Sequence, residues 1–193
     1  SGPRSVTVPG ALSGWNALIE KYGTVTLAEV LAPAIRIANE GFPVTPIIAQ
    51  DWAGTVNGLR RDIGAAATFL IDDEAPEAGD WFRNPDLARS FQRISDGGAQ
   101  EFYGGDLGRE IVEGLATLGG YLTLEDLKSH EPRWVEPLSV DYKGYRLWEL
   151  PPAGQGIAAL QMLKMLEGYD FSTMEHNSAE YLHTGIEAKK LAH

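Results

Sequence analysis

Four groups of residues in this chain have types and spacings that could do chemistry. The first is the turn PPAGQGIAA, Pro151 to Ala159, in which Gly154, Gly156 and Ala159 spell G-x-G-x-x-A. That spacing is the phosphate-cradling fingerprint of dinucleotide-binding proteins, where bare backbone N–H groups at a helix start face a pyrophosphate. The fingerprint requires a buried parallel strand before the glycines and a second, acid-ended strand about 20 residues after them. Neither is present. The preceding Tyr145 to Leu150 alternates as a strand wetted on one face, and the following residues read as helix up to the end of the sequence. Pro151 and Pro152 also stand where donor amides are needed, and proline has no N–H. The expectation is a rigid proline turn that leads into a helix, without a bound nucleotide.

The second group is IDDEAPEAGD, Ile71 to Asp80, with five carboxylates in ten residues. It lacks the D-x-[DN]-x-[DN]-G order and the closing glutamate of a calcium loop, so a solvated loop is expected. The third group is His176, Glu180, His183 and Glu187, at i, i+4, i+7 and i+11, which places all four on one face if the segment is helical throughout. Glu180 and His183 also form the E-x-x-H of carboxylate-bridged di-iron bundles. Those sites need a second copy that this sequence lacks, so a solvated or interface face is expected. The fourth group is the serines. No G-x-S-x-G occurs, and Ser13 and Ser139 sit where a capping role and a strand role explain them. On residue chemistry alone no catalytic, cofactor-binding or metal-binding residue is assigned.

The elements that would hold these groups are mostly helical. GALSGWNALIEKY, Gly10 to Tyr22, has a helical apolar spacing. Thr26 and Glu29 form a capping box before a second helix that Gly41 stops, with a kink expected at Pro33. Thr45 to Leu59 reads as one helix. Asn84 and Asp86 open a helix through Ile94 that Gly97 and Gly98 end, and Gly105 to Ala116 reads as another. Thr123 to Lys128 opens with a second N-terminal box and is short. From Trp134 to Leu150 the period shifts to two, giving a hairpin about Lys143-Gly144. Gly156 to Leu166 and Ser178 to His193 close the chain as helices. About seven helices with a single hairpin is an odd inventory, because one hairpin is not a stable sheet. Either it lies on a helical body or its partner strands belong to other sequence.

Composition bounds the alternatives. With 193 residues, one domain is the default. A formal charge of -11 opposes binding to nucleic acid and anionic lipid, and the absence of cysteine removes thiol and disulfide chemistry. No apolar run reaches the ~18 residues of a membrane span, which is the expectation for a soluble chain. The Ser-Gly-Pro start hints at a processed or truncated product.

Several stretches taken together resemble the large subunit of the γ-glutamyltranspeptidases. SVTVPGALSGW (Ser5 to Trp15) is similar to that family's V-P-G turn and helix, and TLAEVLAPAIRIANEGFPVT (Thr26 to Thr45) to its P-A-I-x-x-A-x-x-G-F-x-V segment. NPDLARSFQRISDGGAQEFYGGDLGREIV (Asn84 to Val112) resembles its N-P-x-L-A and F-Y-x-G run. GGYLTLEDLKSHEPRWVEPLSVDYKGYRLWELPP (Gly119 to Pro152) resembles its G-G-x-x-T-x-x-D-L, E-P-L, Y-x-G-Y and P-P elements. GQGIAALQMLKMLEGYDF and HTGIEAKKLAH complete the series in order. At the proline turn many members read P-P-P-S-S-G-G, from which Ala153 and Gln155 depart.

The resemblance implies an α+β, helix-rich chain over residues 1–193, an internal portion of a large subunit. It would be part of a four-layer αββα N-terminal-nucleophile hydrolase fold, lacking most of its central sheets. It also implies a self-cleaving precursor that transfers or hydrolyses γ-glutamyl groups of glutathione-like compounds, with cephalosporin or glutaryl acylase activity as the related alternative and a non-catalytic helical binding module as the third. The catalytic threonine would begin a small subunit that partners this chain, and the arginine gripping the glutamyl carboxylate would precede the V-P-G turn. Both lie outside these residues, so the resemblance assigns none of them a catalytic role. It points to the periplasm or the cell exterior, on which the residues themselves are silent.

Overall fold

Several helix starts along this chain are set by local hydrogen bonds that the sequence encodes directly. The computed structural model describes residues 2–193, which divide into two compact units, one ending at Pro132 and the other Arg133–His193. In the first unit, a 3-10 turn precedes α1 (Ala11–Tyr22), and α2 (Leu27–Glu40) follows it. At α2 the Thr26 hydroxyl accepts from the Glu29 N–H at 3.2 Å, and the Glu29 carboxylate accepts from the Thr26 N–H at 2.7 Å. Those two bonds satisfy two otherwise orphaned N–H groups. Pro33 lies inside α2, which runs through it as one helix.

Gly41, at φ 92°, then turns the chain into β1 (Phe42–Pro43). A side chain at Gly41 would meet Trp81 Nε1 at 2.6 Å, so the left-handed glycine is required by space as well as by backbone. Trp81 Nε1 and Arg83 Nε both donate to the Glu40 carbonyl, closing the end of α2.

The expected single helix over Thr45 to Leu59 is two: α3 (Pro46–Ala53) and α4 (Val56–Leu59). The Thr55 N–H and hydroxyl both turn back to the Trp52 carbonyl, at 2.8 and 2.7 Å, and that local competition ends α3 after Ala53. A further short helix that the sequence reading did not include, α5 (Ile63–Phe69), is capped by Asp62 on the Ala65 N–H. β2 (Trp81–Phe82) pairs antiparallel with β1. This ribbon carries Phe42 and Phe82 to Trp52 and Phe69; the Trp52 and Phe82 ring centroids are 4.7 Å apart, edge to face.

α6 (Pro85–Gly97) begins where Asn84 caps the Leu87 N–H, and it packs along α2. Then come α7 (Ala99–Tyr103), also absent from the sequence reading, α8 (Asp106–Thr117) and α9 (Leu124–Lys128). Arg93 of α6 reaches Glu101 of α7 at 2.8 Å and Glu110 of α8 at 2.8 Å, and the same Glu101 accepts from the Leu107 N–H at the start of α8. One guanidinium therefore ties three helices together. Leu12, Leu31, Ile94, Tyr103, Leu107 and Leu127 form the core of this unit.

The second unit holds β3 (Leu138–Tyr142), β4 (Tyr145–Glu149), α10 (Gly156–Leu166) and α11 (Ala179–Ala192). Lys143 and Gly144, at φ 47° and 87°, make the two-residue turn with positive φ at both positions that suits a right-twisted hairpin. The hairpin lies on α10, which packs against α11. β4 differs from the half-wetted strand its alternation suggests, because all five of its residues are exposed. Among the described residues there are eleven α-helices, more than the seven read from periodicity; the additional ones are short, below the length at which a period can be recognised.

The family resemblance implied a helix-rich α+β chain with few strands, and that is the observed architecture. Two outcomes follow from this packing. Leu127 is fully enclosed, so Leu127→Ala is expected to lower stability by about 2–5 kcal/mol in chemical denaturation, the range for emptying a well-packed leucine site. The two capping-box carboxylates also make stability depend on acid. The Thr26 backbone N–H holds Glu29 below its ordinary pKa, and the Thr123 hydroxyl does the same for Asp126. A depressed folded pKa contributes stability above the ordinary carboxylate range of about pH 4, and that stability is lost as pH falls through the lowered values. Denaturation midpoints measured between pH 6 and pH 3 should therefore fall less steeply for the Glu29→Gln, Asp126→Asn double variant than for the parent.

Candidate functional site

The proline turn of the second unit delivers the chain from β4 to α10, as its sequence suggests, but the helix start is already occupied. A side chain at Gly156 would fall 2.8 Å from the Cβ of Glu149 and would overlap its carboxylate. Glu149 thus places a negative charge at the amides where a phosphate would have to sit. The strand before the turn is antiparallel and exposed rather than parallel and buried. Charge, topology and the two prolines therefore all oppose nucleotide binding here.

The acidic loop is folded on itself. Asp72 and Asp73 both take positive φ, at 51° and 66°, and Ile71 and Glu74 exchange backbone hydrogen bonds across that turn. Arg60 accounts for two of its carboxylates, reaching Asp73 at 3.0 Å and Glu74 at 2.7 Å, while Asp80 accepts from the Glu77 N–H. The hydrogen bond to Glu74 raises the Arg60 pKa. Among the described residues, no three His, Asp or Glu groups come together as metal ligands.

The four-residue face expected around α11 is reduced to three. His176 lies before the helix, because Asn177 takes φ 60° and Ser178 is the N-cap, accepting from the Tyr181 N–H. Glu180, His183 and Glu187 remain on α11. Glu187 accepts from Lys190 Nζ at 2.6 Å, and that bond holds its carboxyl below the usual range.

Ser13 is the candidate whose surroundings the sequence did not reveal. It is buried within α1 rather than at its N-cap, which is Gly10. Its hydroxyl donates to the Gly10 carbonyl at 2.8 Å and lies 2.9 Å from His130 Nε2. The Ser13 N–H donates to the Tyr103 hydroxyl at 3.1 Å, which in turn donates to the Pro9 carbonyl at 2.7 Å. The His130 ring stacks on Tyr103 at 5.5 Å. Ser13 and His130 are 117 residues apart, and no local pattern links them.

A serine beside a histidine resembles a nucleophile and its base, but the Ser13 hydroxyl has a second acceptor in the Gly10 carbonyl. The Gly10 carbonyl competes with His130 Nε2 for the one Ser13 hydroxyl proton, which a dedicated nucleophile–base pair would not share. The arrangement is a buried clasp joining the Pro9-Gly10 turn, α1, α7 and the end of α9. Ser139 sits on exposed β3 opposite Trp148, with no such partner. Among the described residues, these candidate side chains do not converge on one concave site.

The comparisons with known proteins bear on the whole chain. The profile of the family described as Gamma-glutamyltranspeptidase matches residues 1–193. The glutathione hydrolase-like YwrD proenzyme of Bacillus subtilis (strain 168) is 39% identical over 186 residues, which cover 96% of this chain and 35% of that protein. The crystal structure of Helicobacter pylori gamma-glutamyltranspeptidase superposes with a TM-score of 0.92 at 28% identity, covering 100% of this chain and 56% of that one. The cephalosporin acylase structure from Bacillus halodurans gives a TM-score of 0.88 at 40% identity, covering 100% of this chain and 37% of that one. The chain spans about a third of the length of the curated relatives it matches, 35%, 34% and 32% in three of them.

The clasp has a direct test in the full-length protein. Ser13→Ala should lower stability by about 1 kcal/mol, the net worth of one such hydrogen bond. It should leave kcat/KM within about threefold of the parent. A loss of activity of about a hundredfold with the fold intact would instead make Ser13 a catalytic group.

Proposed function

The chain belongs to the γ-glutamyltranspeptidase family, and from that membership we propose that it is part of the large subunit of an N-terminal-nucleophile amidohydrolase acting on γ-glutamyl compounds such as glutathione. The observation that carries this reading is a family match spanning residues 1–193. The nucleophile in this reading is a threonine at the start of the small subunit, exposed when the precursor cuts itself and located outside these 193 residues.

Its hydroxyl oxygen bonds to the γ-glutamyl carbonyl carbon as the amide C–N bond breaks, and the threonine α-amine carries the hydroxyl proton to the leaving amine. The resulting ester passes its γ-glutamyl group to water or to an amino acceptor and restores the threonine. The residues described here supply the helical flank against which those parts assemble.

A second reading keeps the chemistry and changes the acyl group to a cephalosporin side chain. It is favoured by the identity to the Bacillus halodurans acylase, which exceeds that to the Helicobacter pylori transpeptidase.

The full-length proenzyme is expected to mature into two chains, the smaller beginning with threonine by mass spectrometry, and to hydrolyse a γ-glutamyl anilide. Residues 1–193 produced alone are expected to hydrolyse neither that anilide nor a glutaryl-cephalosporin. Turnover by the isolated residues would overturn the placement of the nucleophile. Turnover of the glutaryl substrate alone by the mature enzyme would replace the first reading with the second.

A further inference from the structure

We propose that the break between α3 and α4 forms a binding site for a small organic ammonium compound, an amine carried on an aromatic or branched apolar body. The site does not depend on the γ-glutamyl reading. α3 places Ile48, Asp51 and Trp52 at i, i+3 and i+4, on one helix face. Thr55 follows where the helix breaks, and Leu59 at the end of α4 and Phe69 at the end of α5 complete the wall. These six residues line a cup of about 390 Å³.

The floor of the cup is braced and apolar. Trp52 packs edge to face on Phe82 at 4.7 Å and tilts against Phe69 at 6.4 Å, while Phe69 stacks with Phe82 at 6.5 Å. Three rings in mutual contact hold the indole in place. Ile48 and Phe69 are nevertheless 43% and 39% exposed, so apolar surface is left wet at the mouth. An apolar group entering the cup removes that surface from water. Size selects the class of ligand. The volume falls at the lower end of small-molecule sites, roughly 300–1,000 Å³. It suits one ring with a short chain, whereas a docked helix about 10 Å across needs a groove several turns long.

The rim selects the charge. Asp51 has no hydrogen-bond or ion-pair partner among the described residues, so its carboxylate is open to a ligand. Thr55 gives its hydroxyl proton to the Trp52 carbonyl at 2.7 Å, which leaves its oxygen to accept. Two acceptors on the rim complement an ammonium group, which has three donors and no acceptor. None of the described residues lining the cup is basic. Between residues 51 and 80 seven carboxylates stand against two arginines, and Arg60 is already held by Asp73 and Glu74. The local field therefore attracts a cation and repels an anionic ligand. A second copy of the chain, at a formal charge of -11, is disfavoured as occupant for the same reason.

Fluorine NMR of the full-length enzyme labelled with 5-fluorotryptophan tests this, with 2-phenylethylammonium as the probe and 2-phenylethanol as its uncharged counterpart. The Trp52 signal is identified as the one that Trp52→Phe removes. It should shift on addition of the amine and saturate with a dissociation constant on the order of 1 mM, ordinary for so small a ligand. The alcohol should bind about fivefold more weakly, and Asp51→Asn should abolish that difference. Asp86→Asn, an equal change of charge on α6, should preserve it. A Trp52 signal unmoved at about 10 mM amine overturns the proposal, and that is the outcome if another polypeptide segment or a second copy fills the cup. Equal affinity for amine and alcohol also overturns it, as does loss of the difference in Asp86→Asn, which would make Asp51 one part of a diffuse charge. The other tryptophan signals report whether each variant is folded, and amine bound only at the γ-glutamyl centre leaves the Trp52 signal in place.

Discussion

The Tyr103 hydroxyl is the polar atom about which the first unit is organised. It is buried with its ring in the core, and both of its hydrogen-bonding capacities are used, one accepting from Ser13 and one donating to Pro9. A buried hydroxyl left unpaired would cost roughly 1–3 kcal/mol, so the Pro9-Gly10 turn and α1 are held to one geometry relative to α7. The His130 ring then closes over Tyr103 and brings in the end of α9, whose Leu127 is wholly enclosed. α9 is only five residues long, far below the length of a helix stable in isolation. It exists because its capping box satisfies its start and the core receives its leucine.

The second unit stands in contrast. Its hairpin has good local geometry, with a matched turn, an Arg146–Asp141 ion pair and a continuous register. Its helices bury little apolar side-chain area, and Trp148, Leu150, Leu182 and Ile186 remain exposed. Local order here exceeds what local burial can support, since a lone hairpin is marginal and these large side chains stay exposed. The chain matches about a third of the length of its curated relatives.

Within the γ-glutamyltranspeptidase family this division has a physical sense. Serine, histidine and carboxylate groups become catalytic when a fold positions them against one reacting atom and sets their proton directions. Several such groups here have structural partners: Ser13 the Gly10 carbonyl, and Glu101 the Arg93 guanidinium and the start of α8. These groups hold a turn or a helix end.

The sequence by itself determined the features that depend on neighbours a few residues apart. The Thr26 and Thr123 boxes, the Asn84 cap, the Lys143-Gly144 turn and the proline turn before Gly156 are all set by bonds spanning two to five residues, and the ordered motifs were sufficient to show the family. Short helices such as α5 and α7 were not legible, since five to seven residues are too few to establish a period. The break after Ala53 depended on a single threonine's choice of acceptor, and His176 was excluded from α11 by one residue's backbone angle. Only the tertiary structure decided the clasp of Ser13, Tyr103 and His130, the three-helix hold of Arg93 and the exposure of β4. Those features join residues far apart in the chain or depend on what packs over a strand, and they are settled by packing and by the satisfaction of buried polar groups, for which local spacing carries no signal.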